Sequence, residues 1–109
     1  MLRSHSVSPR ILLIDDDDLE AEYVRRLLQR ENANAEFFHV RDGVEGLGFL
    51  RGDEGDGDAK KTDLILLDLH MPRMDGRAFL KVMRADVSLS KIPIVLLFST
   101  SWIFSKRTS

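Results

Sequence analysis

Residues 11–18 read ILLIDDDD, and this abrupt change from four apolar residues to four aspartates decides the fold. A continuous apolar run without polar alternation is typical of a strand covered on both faces, as in a parallel sheet. A second such run, LILL at residues 64–67, ends at Asp68. Because open α/β sheets bind ligands where neighbouring strands end, we expect these aspartates to form one acidic pocket. Such a cluster repels itself unless a cation or a proton intervenes, which indicates divalent-metal and phosphoryl chemistry.

The segments between these two runs alternate between helix and strand patterns. Asp17 with Glu20 predicts a capping pair, and apolar residues at three- and four-residue spacing predict a first helix that ends near residues 31–34. The remaining elements are a strand at residues 36–40, a helix at 42–50, a helix marked by 79–83 and a strand at 92–98. This order predicts a single α/β domain with a parallel sheet, right-handed crossovers and helices on both faces.

Composition narrows the classes of partner. The 109 residues are 43% hydrophobic and 31% charged, which suits one domain. The net charge of -2 gives no basic surplus, so we expect no nucleic-acid partner. The absence of cysteine excludes disulfides and thiolate metal sites. The start lacks the apolar stretch of a secretory signal, and the longest apolar run is far shorter than the roughly 20 residues that span a bilayer. We therefore expect a cytoplasmic protein with no membrane partner.

Four segments resemble, in order and spacing, the receiver domain of two-component response regulators. They are residues 11–16, residues 63–68, HMPRMDG at 70–76 and KIP at 91–93. The stretch RDGVEGL at 41–47 is further similar to short single-domain regulators associated with phytochrome-type kinases.

The resemblance spans residues 10–101. It implies a flavodoxin-like doubly wound parallel α/β sheet of strand order 2-1-3-4, lacking the fifth strand and the last two helices. It leaves residues 1–9 as a disordered N-terminus and residues 102–109 as an atypical C-terminal tail.

The same resemblance implies a chemistry. Asp68 would be the phosphoacceptor, taking a phosphoryl group from the phosphohistidine of a sensor histidine kinase. Mg²⁺ would be held directly by Asp16, Asp68 and the backbone carbonyl of His70, with Asp15 acting largely through water. This ion prefers octahedral oxygen ligands and keeps several waters, and phosphoryl transfer needs positioning and a cation more than an acid or a base. The chain would then phosphorylate only itself and would not be an enzyme.

In the family, a Ser or Thr at the end of the fourth strand contacts the phosphoryl group, and the resemblance gives this role to Ser99. Five residues separate Pro93 from Ser99, where the family usually has four. A slip of one residue turns a strand side chain to the opposite face. We expect a bulge that restores Ser99 to the pocket, the alternative being Phe98 at its edge.

Other polar residues near the pocket have simpler interpretations. Asp17 and Asp18 are expected to cap the first helix and face its dipole, because aspartate is common at helix starts for that reason alone. His5 and His39 show no pattern of a functional site.

The family's fifth strand, its lysine and its last helices have no counterpart within these 109 residues, and Lys106 follows Ser99 too closely to be that lysine. We therefore expect phosphorylation or signalling to be impaired relative to a complete receiver. An uncovered apolar fourth strand also predicts a homodimer, a swapped segment or another chain that completes the sheet.

Two other functions fit part of the pattern. A pseudo-receiver that only binds proteins is favoured by the missing lysine and helices, and opposed by intact Asp15, Asp16 and Asp68. A phosphohydrolase of the haloacid-dehalogenase type would use the Asp-x-Asp spacing of Asp15 and Asp17. That reading leaves Asp68 and its following loop unexplained.

Overall fold

Four strands and three helices alternate along the part of the chain that the computed structural model describes, residues 8–32, 34–52, 62–69 and 75–97. In chain order they are β1 (Arg10–Ile14), α1 (Asp18–Glu31), β2 (Glu36–Val40), α2 (Gly43–Arg51), β3 (Leu64–Asp68), α3 (Gly76–Ala85) and β4 (Ile94–Leu97). The order expected from the sequence is confirmed.

The four strands form one parallel sheet in the order β2-β1-β3-β4. β1 is central, and its last residue, Ile14, pairs with Val40 of β2 and with Leu67 of β3. Asp68 at the end of β3 pairs with Leu97 of β4. All four strands therefore end along one edge of the sheet, and the flavodoxin-like order 2-1-3-4 is confirmed.

Helices cover both faces of the sheet, which explains why the apolar runs do not alternate with polar residues. Successive residues of β1 point to opposite faces. Leu12 and Ile14 pack with α2 and α3 in a cluster that also contains Leu47, Leu50, Ile65, Leu67, Phe79, Met83 and Leu89. Ile11 and Leu13 pack with α1 in a second cluster that also contains Ala21, Val24, Ala35 and Leu66.

Each helix begins after an aspartate whose side chain accepts a hydrogen bond from a backbone N–H two or three residues further on. These caps are Asp17, Asp42 and Asp75. The expected pairing of Asp17 with Glu20 forms in one direction, because Asp17 Oδ1 accepts from the Glu20 N–H at 3.2 Å. The return bond is replaced, since the Asp17 N–H donates to Asp15 Oδ1 at 2.9 Å. Asp17 is therefore tied both to α1 and to the residue that follows β1.

The fourth strand is shorter than expected in the described residues, because its first residues belong to a turn. The Ile92 N–H donates to Leu89 O at 3.1 Å, and Pro93 contributes only its carbonyl, which accepts from the Ile65 N–H at 2.9 Å. Phe98 lies outside the described residues, as do residues 1–7 and the predicted tail at 102–109. The expectations for those segments stay predictions. No helix in the described ranges is long and apolar enough to cross a membrane.

Candidate metal centre

Three carboxylates meet where β1 and β3 end. Asp15 and Asp16 follow β1, and Asp68 is the last residue of β3. Their oxygen atoms, one from each side chain, all lie within 4.8 Å of one another. The cause is the parallel register, since Ile14 pairs with Leu67 and the next residue of each strand extends past the same edge. The structure thus brings together three of the residues that the sequence nominated for one pocket.

Asp15 is the most perturbed member of this cluster. It is fully buried, its Oδ1 accepts from the Asp17 N–H at 2.9 Å, and its Oδ2 is buried with no hydrogen-bond partner among the described residues. The pKa of this carboxyl is raised to about 7, mainly by burial and also by the charges of Asp68, Glu20 and Asp16, although the hydrogen bond from the Asp17 N–H opposes the rise. Near neutral pH the cluster therefore holds a carboxyl at the point of ionisation.

The donor set fits a divalent cation. Buried ionised carboxylates are stable only when they are paired, hydrogen-bonded or metal-bound, and Asp15 Oδ2 has no such partner among the described residues. Asp16 is half-buried, whereas Asp15 and Asp68 are buried, so the cluster is open to solvent on the Asp16 side. Oxygen ligands with an open side suit Mg²⁺, which binds through one or two carboxylates and keeps waters.

The backbone of this acidic turn is held from the β2 side. The Nε2–H of His39 donates to the carbonyl of Asp15 at 2.7 Å, since a carbonyl oxygen can only accept. The Nη2 of Arg41 donates to the carbonyl of Asp16 at 3.0 Å, and its Nη1 pairs with the Asp18 carboxylate. His39, for which no pattern of a functional site was found in the sequence, therefore contacts the backbone of the turn that carries two of the three carboxylates. A sequence signal existed, because a strand predicted to flank β1 must end beside the residues that follow β1.

Of the other residues that the sequence analysis considered for a site, Asp17 is described by the structure, but its side chain does not join the carboxylate cluster. The Asp17 carboxylate turns to the N-terminus of α1, where it accepts from the N–H groups of Leu19 and Glu20. The Asp-x-Asp site of a haloacid-dehalogenase-type enzyme is therefore not assembled from Asp15 and Asp17. His70 and Ser99 lie outside the described residues, so their roles stay predictions.

Comparisons with known proteins agree with this geometry. The family model of the response regulator receiver domain matches residues 11–105. The curated response regulator Rcp1 of Synechocystis sp. is 32% identical over 87 residues, which cover 80% of this chain and 59% of that protein. The chain therefore spans less than two thirds of this relative.

Solved structures give the same match. The phosphorylated cyanobacterial phytochrome response regulator RcpA superposes with a TM-score of 0.73 at 31% identity, over 94% of this chain and 75% of that chain. The Mn(2+)-bound form of Rcp1 superposes with a TM-score of 0.67 at 26% identity, over 92% of this chain and 74% of that chain.

Proposed function

The chain belongs to the receiver domain family of two-component response regulators, and from this premise we propose that it accepts a phosphoryl group on Asp68 in the presence of Mg²⁺. The observation that carries the proposal is the position of Asp68. It ends β3 with a carboxylate oxygen within 4.8 Å of those of Asp15 and Asp16. The similarity to phytochrome response regulators, expected from residues 41–47, also favours this function.

The transfer needs only one nucleophile from this chain. A carboxylate oxygen of Asp68 attacks the phosphorus of a phosphohistidine on a sensor histidine kinase. The P–O bond forms as the P–N bond breaks, and the electron pair of that bond returns to the imidazole nitrogen. The product is an acyl phosphate on Asp68. The chain keeps the phosphoryl group on itself, so we propose a signalling phosphoacceptor and not a turnover enzyme.

Asp16 and Asp68 would hold the Mg²⁺ directly, with the backbone carbonyl of His70, while Asp15 would act through water. When bound, the cation offsets the charge that the phosphoryl oxygens carry during transfer. The orphan Oδ2 of Asp15 supports this assignment, because it needs either a proton or a positive charge nearby. The relative Rcp1 binds Mn²⁺, which supports the proposal that this chain binds a divalent cation.

Labelling with a small phosphodonor tests the proposal. Wild type incubated with acetyl phosphate and Mg²⁺ should gain the mass of one phosphoryl group, and EDTA should prevent the gain. Asp68→Asn should abolish it. Asp63→Asn is a matched control, because Asp63 is an exposed aspartate that directly precedes β3, at the end of the strand far from Asp68. Unlabelled wild type, or labelling that survives in Asp68→Asn, would refute the function.

We further propose that Ser99 contacts the phosphoryl group. The described part of β4 ends at Leu97, paired with Asp68, and Ser99 follows two residues later in the sequence. Ser99→Ala should slow labelling by acetyl phosphate without changing where the label resides. Labelling of Ser99→Ala at the wild-type rate would remove Ser99 from the site.

The proposed partner is a sensor histidine kinase, and a second proposed contact is self-association through β4. Two apolar side chains of β4 are exposed, Val95 at 48% and Leu96 at 37%, and exposed apolar strands recruit partners. Sedimentation should show a dimer that Val95→Lys weakens. A monomer at high concentration would contradict the self-association.

The cytoplasmic location stays a prediction.

A further inference from the structure

We propose that His39 and Arg41 are positioning residues, which we call the β2 clamp, and that they hold the Asp15–Asp16 backbone in the form that binds the cation. This inference rests on the proposed function, because it concerns the same carboxylate cluster. Neither side chain belongs to the cluster itself. Each acts on a carbonyl of the turn that carries two of its members.

Three backbone groups of Asp15 and Asp16 are hydrogen-bonded from the β2 side, two of them by the clamp. The Asp15 N–H donates to Val40 O at 3.0 Å, which extends the β1–β2 ladder by one residue. The next two groups are carbonyls, of Asp15 and Asp16, and they accept from His39 at 2.7 Å and from Arg41 at 3.0 Å. All three bonds come from the β2 side of β1, whereas the Asp68 carboxylate approaches from β3 on the other side. The turn is therefore fixed from one side while its carboxylates face the other.

The clamp opposes a rearrangement that repulsion among the three carboxylates would otherwise favour. Three ionised carboxylates within 4.8 Å of one another repel, and a rotation of the turn that moved the half-buried Asp16 outward would relieve that repulsion. Rotation of either peptide plane would break a bond to the clamp and would leave its carbonyl without that partner. The clamp thus opposes relaxation before the cation arrives. A site held in its bound geometry binds more tightly, because less order is lost on binding.

Considered by its charge alone, Arg41 should weaken Mg²⁺ binding, whereas its hydrogen bond to the Asp16 carbonyl should strengthen it. A guanidinium near the cluster disfavours a second cation, so its removal should tighten Mg²⁺ binding if charge were the only factor. The charge of Arg41 is exposed and paired with Asp18, which weakens that effect through solvent screening. If the hydrogen bond to Asp16 dominates, removal of Arg41 instead weakens Mg²⁺ binding. The direction of the change separates the two explanations.

Calorimetric titration of the full chain with Mg²⁺ tests the clamp, with folding checked by circular dichroism. His39→Leu should weaken the affinity by about tenfold, the lower end of losses seen when groups supporting metal ligands are removed. His39→Gln should recover most of it, because a glutamine amide can still donate to the Asp15 carbonyl. Arg41→Gln should weaken the affinity by a few-fold.

Two more variants control for charge and for general effects of losing an arginine. Arg41→Lys keeps the charge but loses the planar fork that reaches both Asp16 and Asp18, so it should also weaken binding. Arg51→Gln removes an arginine of similar exposure, 48% against 51%, that pairs with Asp86 at 2.9 Å, and it should leave the affinity unchanged. Because Arg41 and Arg51 are exposed, these variants should fold even where His39→Leu does not.

The outcomes separate the clamp from the function on which it rests. Wild-type affinity in both His39→Leu and Arg41→Gln, or tighter binding in Arg41→Gln, would overturn the clamp alone. Labelling of Asp68 by acetyl phosphate at saturating Mg²⁺ is measured on the same proteins. Wild type that neither binds Mg²⁺ nor becomes labelled would overturn both proposals. Both proposals would be supported if the wild type becomes labelled, His39→Leu and Arg41→Gln bind Mg²⁺ more weakly, and His39→Gln recovers most of the affinity.

Discussion

The backbone N–H of Asp17 donates to Asp15 Oδ1 at 2.9 Å, so the residue that caps α1 also anchors the buried carboxylate of the acidic cluster. The bond satisfies one oxygen of Asp15 and leaves Oδ2 without a partner among the described residues. One hydrogen bond does not offset the burial, and the pKa of Asp15 rises from 3.8 to about 7. A proton or a cation is therefore needed at this point near neutral pH.

We expect Asp15→Asn to stabilise the metal-free chain at alkaline pH. The folded pKa of Asp15 lies above its ordinary value, so the folded state binds more protons between pH 3.8 and about 7. The contribution of Asp15 to the free energy of unfolding is therefore fully present below pH 3.8 and is lost as the pH rises to about 7. Asparagine can still accept from the Asp17 N–H and carries no charge. Its advantage should be small near pH 4 and reach roughly 4 kcal/mol at most above pH 7.

Urea unfolding in EDTA at several pH values measures this effect, with Asp63→Asn as the control for loss of an exposed aspartate. An advantage of Asp15→Asn that is equal at pH 4 and pH 8 would contradict the raised pKa.

Mg²⁺ binding should be linked to proton release from Asp15. Because a protonated Asp15 offers the nearby cation no negative charge, the Mg²⁺ affinity should rise with pH up to about 7 and then level off. Calorimetry at pH 6 in buffers of different ionisation heat counts the protons released. Asp15→Asn should remove the pH dependence. A wild-type affinity that is constant across this range would show that Asp15 is already ionised without the metal.

Gly46→Ala should destabilise the fold, whereas Gly48→Ala should not. A methyl group at Gly46 would lie 2.8 Å from Ile14 Cδ1 and 3.2 Å from Phe79 Cε1, both in the fully buried core. We expect a loss of about 1–3 kcal/mol from overpacking. Gly48 has nothing within 4 Å of that position, so alanine there should add up to about 1 kcal/mol of helix propensity. Denaturant unfolding of the pair measures both, and equal stabilisation would contradict the close packing.

Gly76→Ala should disturb both stability and labelling. A methyl group at Gly76 would lie 2.7 Å from Leu69 Cα and 3.0 Å from the Asp68 carbonyl, and backbone atoms cannot move aside as a side-chain tip can. The Gly76 N–H also donates to Leu69 O at 3.1 Å, which docks the start of α3 on the end of β3. We expect lower stability than in Gly46→Ala and slower acetyl phosphate labelling of Asp68. Wild-type values for both would show that α3 can shift freely.

The sequence by itself determined the order of the elements and the residues at their ends. Periodicity is a local property, so a run such as residues 11–14 reports a doubly covered strand without knowledge of its neighbours. Local chemistry likewise placed Asp17 at the start of α1. Combined with the rule that parallel strands end at one edge, this was enough to bring Asp15, Asp16 and Asp68 together.

Only the tertiary structure decided how this cluster is held and charged. His39 lies 24 residues from Asp15 in the chain, and its hydrogen bond to the Asp15 carbonyl depends on the β1–β2 register, which no local pattern encodes. The missing return bond of the cap has the same origin, because Asp15 takes the Asp17 N–H. The raised pKa of Asp15 depends on burial beneath packed elements and on charges from β3 and α1. Hydrogen-bond direction, desolvation and charge proximity are set by atoms brought together in space, and they exist only once the chain has folded.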